Sequence, residues 1–444
     1  MRRIVILGAG TAGTIMANRL RSLYKPEIRA GDVAITIVDQ DNQHVYQPGL
    51  LFIPFGTYDR EDTVAPRKRY VPKEVEYLVD EIHHVEPDED RVYLKSGRTL
   101  EYDVLVIATG TRLAPEETEG LLGEGWQEKM FEFYTLEGAT ALAHKLESWE
   151  GGRLVVNIVD MPIKCPIAPL EFVFLADDFF DRKGIRDRVD ITLVTPLDGA
   201  FTRPLAAKAL GDLLVQKNVN LVSDFSAGEV DGPTGKLVSW DDRTVEFDLL
   251  VSIPLHVGAD YVGRSPGLGD DMNFVLTDQE TLQSKRKPNI FVLGDATDVP
   301  TSKAGSVAHF EAEVLEENIR RFFDGEALEA GFDGHANCFI ETGRNKAVLL
   351  DFSYDVEPLP GKFPFAGVGP LDLLKETRRN HWGKLAFKWV YWNMLMPGRD
   401  LPGVTTRLSM RGKKRGDLPM LERHAVQGGA PQSTKSDDEA ANVA

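Results

Sequence analysis

The sequence is poor in cysteine. Two thiols in 444 residues, Cys165 and Cys338, exclude a disulfide scaffold, a four-cysteine iron–sulfur cluster and a cysteine-rich zinc site. No apolar run reaches the roughly 18 residues of a membrane-spanning helix. Positive charge is also in deficit: 51 Lys and Arg stand against 69 Asp and Glu, a net charge of −18, which argues against nucleic acid as a partner. The nine histidines show no metal-ligand spacing, and no metal site is expected. What remains, 42% hydrophobic and 27% charged residues, is the composition of an ordinary folded protein long enough for two or three domains. Arg2-Arg3 before Ile-Val-Ile-Leu imitates an export signal, but glycines break the run after four residues. It reads as a buried first strand, and no cleavable signal peptide is expected.

That strand opens the clearest motif. Residues 3–7 lead into Gly8-Ala9-Gly10-Thr11-Ala12-Gly13, and Thr14 to Leu23 has helical periodicity. A second strand, Ala34 to Val38, ends at Asp39. In such a βαβ unit Gly8 makes the turn, Gly10 lets a pyrophosphate approach and Gly13 lets helix and strand pack. Asp39 is placed to bind a ribose hydroxyl. Two buried strands far along the chain end in small residues: Tyr102 to Gly110, with Thr109 and Gly110 at its end, and Ile290 to Asp295, with Gly294 and Asp295.

These three elements resemble the flavoproteins with two Rossmann-like dinucleotide-binding domains, an α/β class related to glutathione reductase. The resemblance implies FAD, with the Asp295 carboxylate holding the ribityl chain. It also implies a discontinuous FAD-binding domain at 1–112 and 285–330, around a second Rossmann-like domain at 113–284 with strands at 153–159, 189–194, 220–222 and 249–253. A third region, 331–403, follows, and a basic then polar tail at 404–444 is expected to be largely disordered.

Where an NAD(P)H-using relative has a second glycine turn, this chain reads Val159-Asp160-Met161-Pro162-Ile163-Lys164-Cys165-Pro166. There is no glycine, and a cysteine stands there instead. That segment, Cys338-Phe339-Ile340-Glu341, Asn380 to Trp389, Gln47-Pro48 and Lys303-Ala304-Gly305 together resemble the sulfide:quinone oxidoreductases. The resemblance covers about residues 1–403. It implies a monotopic, peripheral enzyme of the prokaryotic cell membrane that oxidises sulfide to polysulfide or sulfur and reduces a membrane quinone, and it leaves a homo-oligomer open. Hydrosulfide attacks a bridge between Cys165 and Cys338, and a persulfide remains. The resemblance places Cys338 nearer the flavin and gives carriage of the sulfur chain to Cys165. Many members have a third cysteine near 128–135; here that stretch is Glu-Lys-Met-Phe-Glu-Phe-Tyr-Thr.

Other roles follow from the residues and the resemblance together. Lys164 would lower the thiol pKa of Cys165 if the side chains meet. Pro48 belongs to the cofactor site, and Lys303 would set positive charge at the flavin's pyrimidine end. Glu171 and Glu341 are either proton relays or structural. Phe339, Lys362, Phe365 and Trp382 are the candidate quinone pocket. Residues 371–400 hold six cations against three carboxylates, and Trp382, Leu385, Trp389 and Trp392 recur at helical spacing, the pattern of an interfacial helix. Two alternatives stay open: a type II NADH:quinone dehydrogenase, and a non-catalytic membrane-bound flavoprotein sensor.

Overall fold

The structure is a computed structural model that describes residues 1–414. Two five-stranded parallel sheets organise it. In the first, Arg2–Leu7 lies at the centre between Val33–Asp39 and Val104–Ile107, with Glu76–Val79 and Ile290–Val292 at the edges. In the second, Gly152–Ile158 is central between Val189–Val194 and Leu249–Ile253, with Val219–Val222 and Met130–Phe131 outside. The central strands are continuous Val/Ile/Leu runs because both of their faces are covered. The carboxyl ends of such strands face the crevice where ligands bind.

An antiparallel ribbon, Thr111–Ala114 with Leu255–Gly258, joins the two units. Tyr261, Val262, Leu268 and Val275 pack with Val5, Leu7 and Ile107 of the first sheet. Residues 260–284, expected with the second unit, therefore share the core of the first.

The third region is a four-stranded sheet. Ala336–Gly343 and Lys346–Phe352 form a hairpin that turns through Arg344 and Asn345, both left-handed, as a two-residue hairpin turn requires. Leu371–Leu373 and Gly361–Phe363 extend the sheet. The helix Arg378–Val390 follows, its N-terminus capped by the Thr377 hydroxyl, which accepts from Asn380 N. It continues through a wider π turn, Tyr391–Leu395. Among the described residues no helix is long and apolar enough to cross a membrane.

Residues 404–414 depart from the disorder expected of the tail. The His335 Nδ1–H donates to Thr405 O at 2.9 Å, Arg407 donates to Gly331 O at 2.9 Å, and Lys413 pairs with buried Asp351 at 2.5 Å. His335 itself lies 2.7 Å from Asp351 and stacks on Phe310. These local anchors are scattered over irregular backbone and leave no periodic signal in the sequence. The rest of the expected disordered tail, residues 415–444, lies outside the described residues.

Candidate active site

The glycine turn forms a cradle that only glycine can build. Gly8 has φ +93°, and a Cβ there would stand 2.5 Å from Ala108 O. A Cβ on Gly13 would meet Gly8 O at 1.8 Å, while one on Gly10 would enter open space. The helix Thr11–Leu23 has no side-chain cap and no acid in its first turn, so its amide N–H groups face the site unsatisfied. Asp39 Oδ2 accepts from Ala9 N at 2.6 Å and pairs with Arg67. Burial pushes the Asp39 carboxyl up, and Arg67 opposes that shift.

The other cofactor candidates gather around this loop. Gly110 is left-handed, and the Thr109 hydroxyl is 3.2 Å from that of Tyr261. Gly294 N donates to Glu311 Oε2 at 2.5 Å, and its φ of +73° brings it against Ala12. The Asp295 carboxylate hydrogen-bonds to no described residue and does not cap a helix, which leaves it available to a ligand. Pro48 is half-buried in the first turn of the 3-10 helix Gln47–Phe55. Lys303 is buried, but its ammonium is turned onto Asp295 O and Thr297 O, at 3.0 and 2.8 Å, and over the Phe274 ring.

The two free thiols share one core cluster, Cys338 within it and Cys165 packed against it. Cys165 has left-handed backbone, its N–H donating to Lys303 O at 2.7 Å and its carbonyl accepting from Ala168 N and from the Tyr134 hydroxyl. It stands three residues before the helix Ala168–Arg182, which packs on the strand that carries Cys338. Cys338 is buried opposite Leu350, its sulfur 3.9 Å from the Ser302 hydroxyl.

The cation at this centre is not Lys164. It is Lys384, from the C-terminal helix, whose ammonium donates to Glu171 Oε1 at 2.5 Å and to Phe339 O at 2.9 Å. Burial pushes both thiols up, Cys338 to about 11. Glu171 adds to the rise at Cys165, and Lys384 opposes it at both thiols. Glu171 and Glu341 are both buried. Glu171 Oε1 also accepts from Glu341 N at 2.7 Å, Glu171 Oε2 has no partner, and the Glu341 side chain holds His381 at 2.9 Å. Lys384 escaped the sequence reading because it stood among the basic residues of an amphipathic pattern. Its Cys-side position depends on a tertiary contact.

Residues 2–157 match the pyridine nucleotide-disulphide oxidoreductase family. The mitochondrial sulfide:quinone oxidoreductases of Mus musculus and Dictyostelium discoideum are 26% and 27% identical over 402 residues, covering 89% of this chain and 86% of each relative. The X-ray structure of the sulfide:quinone oxidoreductase from Aquifex aeolicus matches the fold with a TM-score of 0.73 at 22% identity, over 90% of this chain and 92% of that one. The chain is thus similar to sulfide:quinone oxidoreductases along most of its length. It is an oxidoreductase, and FAD is its cofactor. The open space over Gly10, the uncapped helix and the unpartnered Asp295 carboxylate fit that group.

The oxidoreductase's third region departs from the expected quinone pocket. Phe339 packs against Gly383, where a Cβ would stand 3.1 Å from its ring. Lys362 is paired with Asp372 at 2.7 Å, Phe365 rests on Gly403, and Trp382 is 66% exposed. Among the described residues no ring contact joins Phe339, Phe365 and Trp382. The expected aromatic stripe also divides. Trp382 and Trp389 face outward, whereas Trp392 turns in and stacks on Tyr70 with centroids 5.0 Å apart. The π turn shifts the helical phase between Trp389 and Trp392, which a regular 3.6-residue period does not foresee.

Proposed function

We propose that this enzyme oxidises sulfide and passes two electrons to a membrane quinone, with Cys165 and Cys338 as its redox pair. The observation that carries this is the replacement of a nucleotide-binding turn by the Cys165 loop, set beside Cys338 and a buried Lys384–Glu171 pair. The two cysteines form a bridge, directly or through added sulfur. Hydrosulfide attacks the bridge on the Cys165 side, one S–S bond forms as another breaks, and Cys338 leaves as a thiolate. Lys384 stabilises that thiolate where burial alone would forbid it. Glu171, paired with Lys384 and accepting from the N–H of Glu341, whose own carboxylate holds His381, moves protons at its free Oε2. Bound FAD supplies a two-electron acceptor between sulfur and quinone. Phe339, next to Cys338 in the strand, leads toward the quinone side beneath the C-terminal helix, and Lys362, Phe365 and Trp382 line the outer approach. The outward Trp382 and Trp389 hold the protein on the membrane surface.

The test is an anaerobic flavin spectrum. Sulfide bleaches the flavin and a short-chain quinone restores it, whereas NADH does neither. Cys165→Ser and Cys338→Ser each keep the bound-flavin spectrum and lose bleaching by sulfide. Bleaching by NADH, or near wild-type turnover in either serine variant, would refute the proposal. NADH oxidation is disfavoured by the glycine-free turn with Pro162 and Pro166 after Gly152–Ile158.

A further inference from the structure

Side chains alternate along the strand Ala336–Gly343, so Cys338 and Ile340 share one face and Phe339 and Glu341 the other. Cys338 and Ile340 lie in the core cluster. The C-terminal helix runs along the opposite face. There Gly383 meets the Phe339 ring, and His381 Nδ1 lies 3.1 and 2.9 Å from the two carboxylate oxygens of Glu341. A carboxylate only accepts, so Nδ1 carries the proton. Among the described residues no other side chain hydrogen-bonds to the Glu341 carboxylate.

The pair runs from the interior to the surface. The Glu341 side chain is 2% exposed and that of His381 14%. His381 Nε2 has no partner among the described residues and reaches the surface. The exposed Trp382 meets the imidazole edge-on with centroids 5.8 Å apart, and Arg378, one turn back along the helix, is exposed as well. Glu171 hydrogen-bonds to Glu341 only through the backbone N–H, at 2.7 Å. A backbone N–H makes a hydrogen bond but does not hand on its proton. The two buried acids are therefore not in series, and the Glu341 carboxylate stands on the sheet face away from the Cys338 thiol.

Hydrosulfide brings one proton, and a quinol needs two. Each turnover therefore draws one more proton from water: hydrosulfide, quinone and one proton give sulfane sulfur and quinol. Resting on the quinone reduction proposed above, we infer that His381 and Glu341 are the port through which that proton enters. His381 takes it at Nε2 from water and releases the one on Nδ1 to Glu341, one N–H bond forming as another breaks. The Glu341 carboxyl then passes it to the quinone oxygen on the Phe339 side of the sheet. No electron moves with it. A half-turn of the ring restores the starting arrangement. An imidazole suits this step because its two nitrogens can gain and lose protons in turn. His381 acts through Glu341 and touches no substrate.

The experiment is anaerobic stopped-flow on the FAD-loaded full chain, reduced with one equivalent of sulfide and then mixed with an acceptor. The acceptor is either a short-chain quinone or ferricyanide, which takes electrons without protons. His381→Gln keeps a hydrogen bond to Glu341 but cannot relay a proton. It bleaches with sulfide at the wild-type rate and unfolds at a midpoint near that of wild type. Its reoxidation by quinone slows about a hundredfold, the loss of a positioned acid–base group. Its reoxidation by ferricyanide is unchanged. His381→Ala behaves alike, and free imidazole, which fits the space of the lost ring, restores its quinone step. Wild-type reoxidation by quinone in both variants, equal slowing with quinone and ferricyanide, or an alanine variant that imidazole does not rescue would overturn the port. A wild type that sulfide does not bleach, or that quinone does not reoxidise, would overturn the functional proposal and this inference with it.

Discussion

Lys384 and Glu171 form a largely buried ion pair. Glu171 is fully buried and Lys384 nearly so, and neither has another full charge to lean on at the distance they share. Removing one partner leaves the other charge uncompensated, at a cost of about 3–5 kcal/mol. Lys384→Met should therefore lower the denaturation midpoint and abolish sulfide bleaching. Adding Glu171→Gln to Lys384→Met should recover much of the stability, because two charges have gone together, without recovering bleaching. Equal recovery of both would mean that the pair is only structural. Glu311 poses a different question. Burial pushes its carboxyl up to about 8, from an ordinary 4.5, against the Gly294 N–H and Lys303. A carboxyl whose folded pKa is raised stabilises the fold fully below its unfolded pKa and loses that contribution as pH rises through the folded value. Stability should thus fall between about pH 4.5 and 8, by at most about 5 kcal/mol. Denaturation midpoints across that range should flatten in Glu311→Gln, and an equally steep fall in the variant would exclude Glu311 as the source.

The elements divide by how local their causes are. The strands Val189–Val194 and Leu249–Ile253 lie where the apolar runs predict them, and the helix after the glycine turn starts three residues earlier than its periodicity suggests, at Thr11. Gly8, Gly10 and Gly13 were legible because a backbone turn demands them. The C-terminal helix was legible as an element but not in its facing. Of its basic residues, Lys384 points to Glu171 and Lys388 to Asp62, so the sequence count of cations overstates those free at the surface. Helical spacing likewise cannot foresee a π turn. That turn has a consequence for the cofactor. Tyr391 is buried within it, and its hydroxyl lies 2.6 Å from both the Thr11 hydroxyl of the glycine loop and His44 Nε2. Asn18 and Arg19 of the first helix bind Met396 O and Gly398 O behind it. The C-terminal helix is thereby fastened to the glycine loop. Tyr391→Phe should weaken FAD retention or lower stability by about 1–3 kcal/mol, since it strands the buried His44 Nε2 and the half-buried Thr11 hydroxyl. FAD titration of the stripped protein, beside thermal unfolding, would show neither change if the contact is incidental.

At the scale of the molecule, the exposed apolar side chains are unevenly placed. Trp382 and Trp389 are exposed on one helix, and Phe365 and Val368 on the loop after Gly361–Phe363. Lys375, Arg378 and Arg379 are exposed at the start of that helix and make no ion pair among the described residues. On a chain of net charge −18, this concentration of aromatic surface with local positive charge is where attachment to a lipid surface would occur. Apolar burial should supply most of the affinity, at roughly 25 cal/mol per Å². The free cations should add about 1 kcal/mol each near anionic lipid, weakening with salt. Replacing Trp382 and Trp389 together by Glu should release the FAD-loaded protein from anionic vesicles in a flotation assay and slow reduction of long-chain quinone. Sulfide should still bleach its flavin, because Cys165, Cys338 and Lys384 are untouched. Trp392→Ala should do the opposite, lowering the unfolding temperature while leaving vesicle binding near wild type, because its ring packs on His44, Tyr46 and Tyr70 rather than on lipid. High salt alone should weaken attachment without ending it. Complete release of the wild type by salt would mean that charge, not the tryptophan face, holds the enzyme to the membrane.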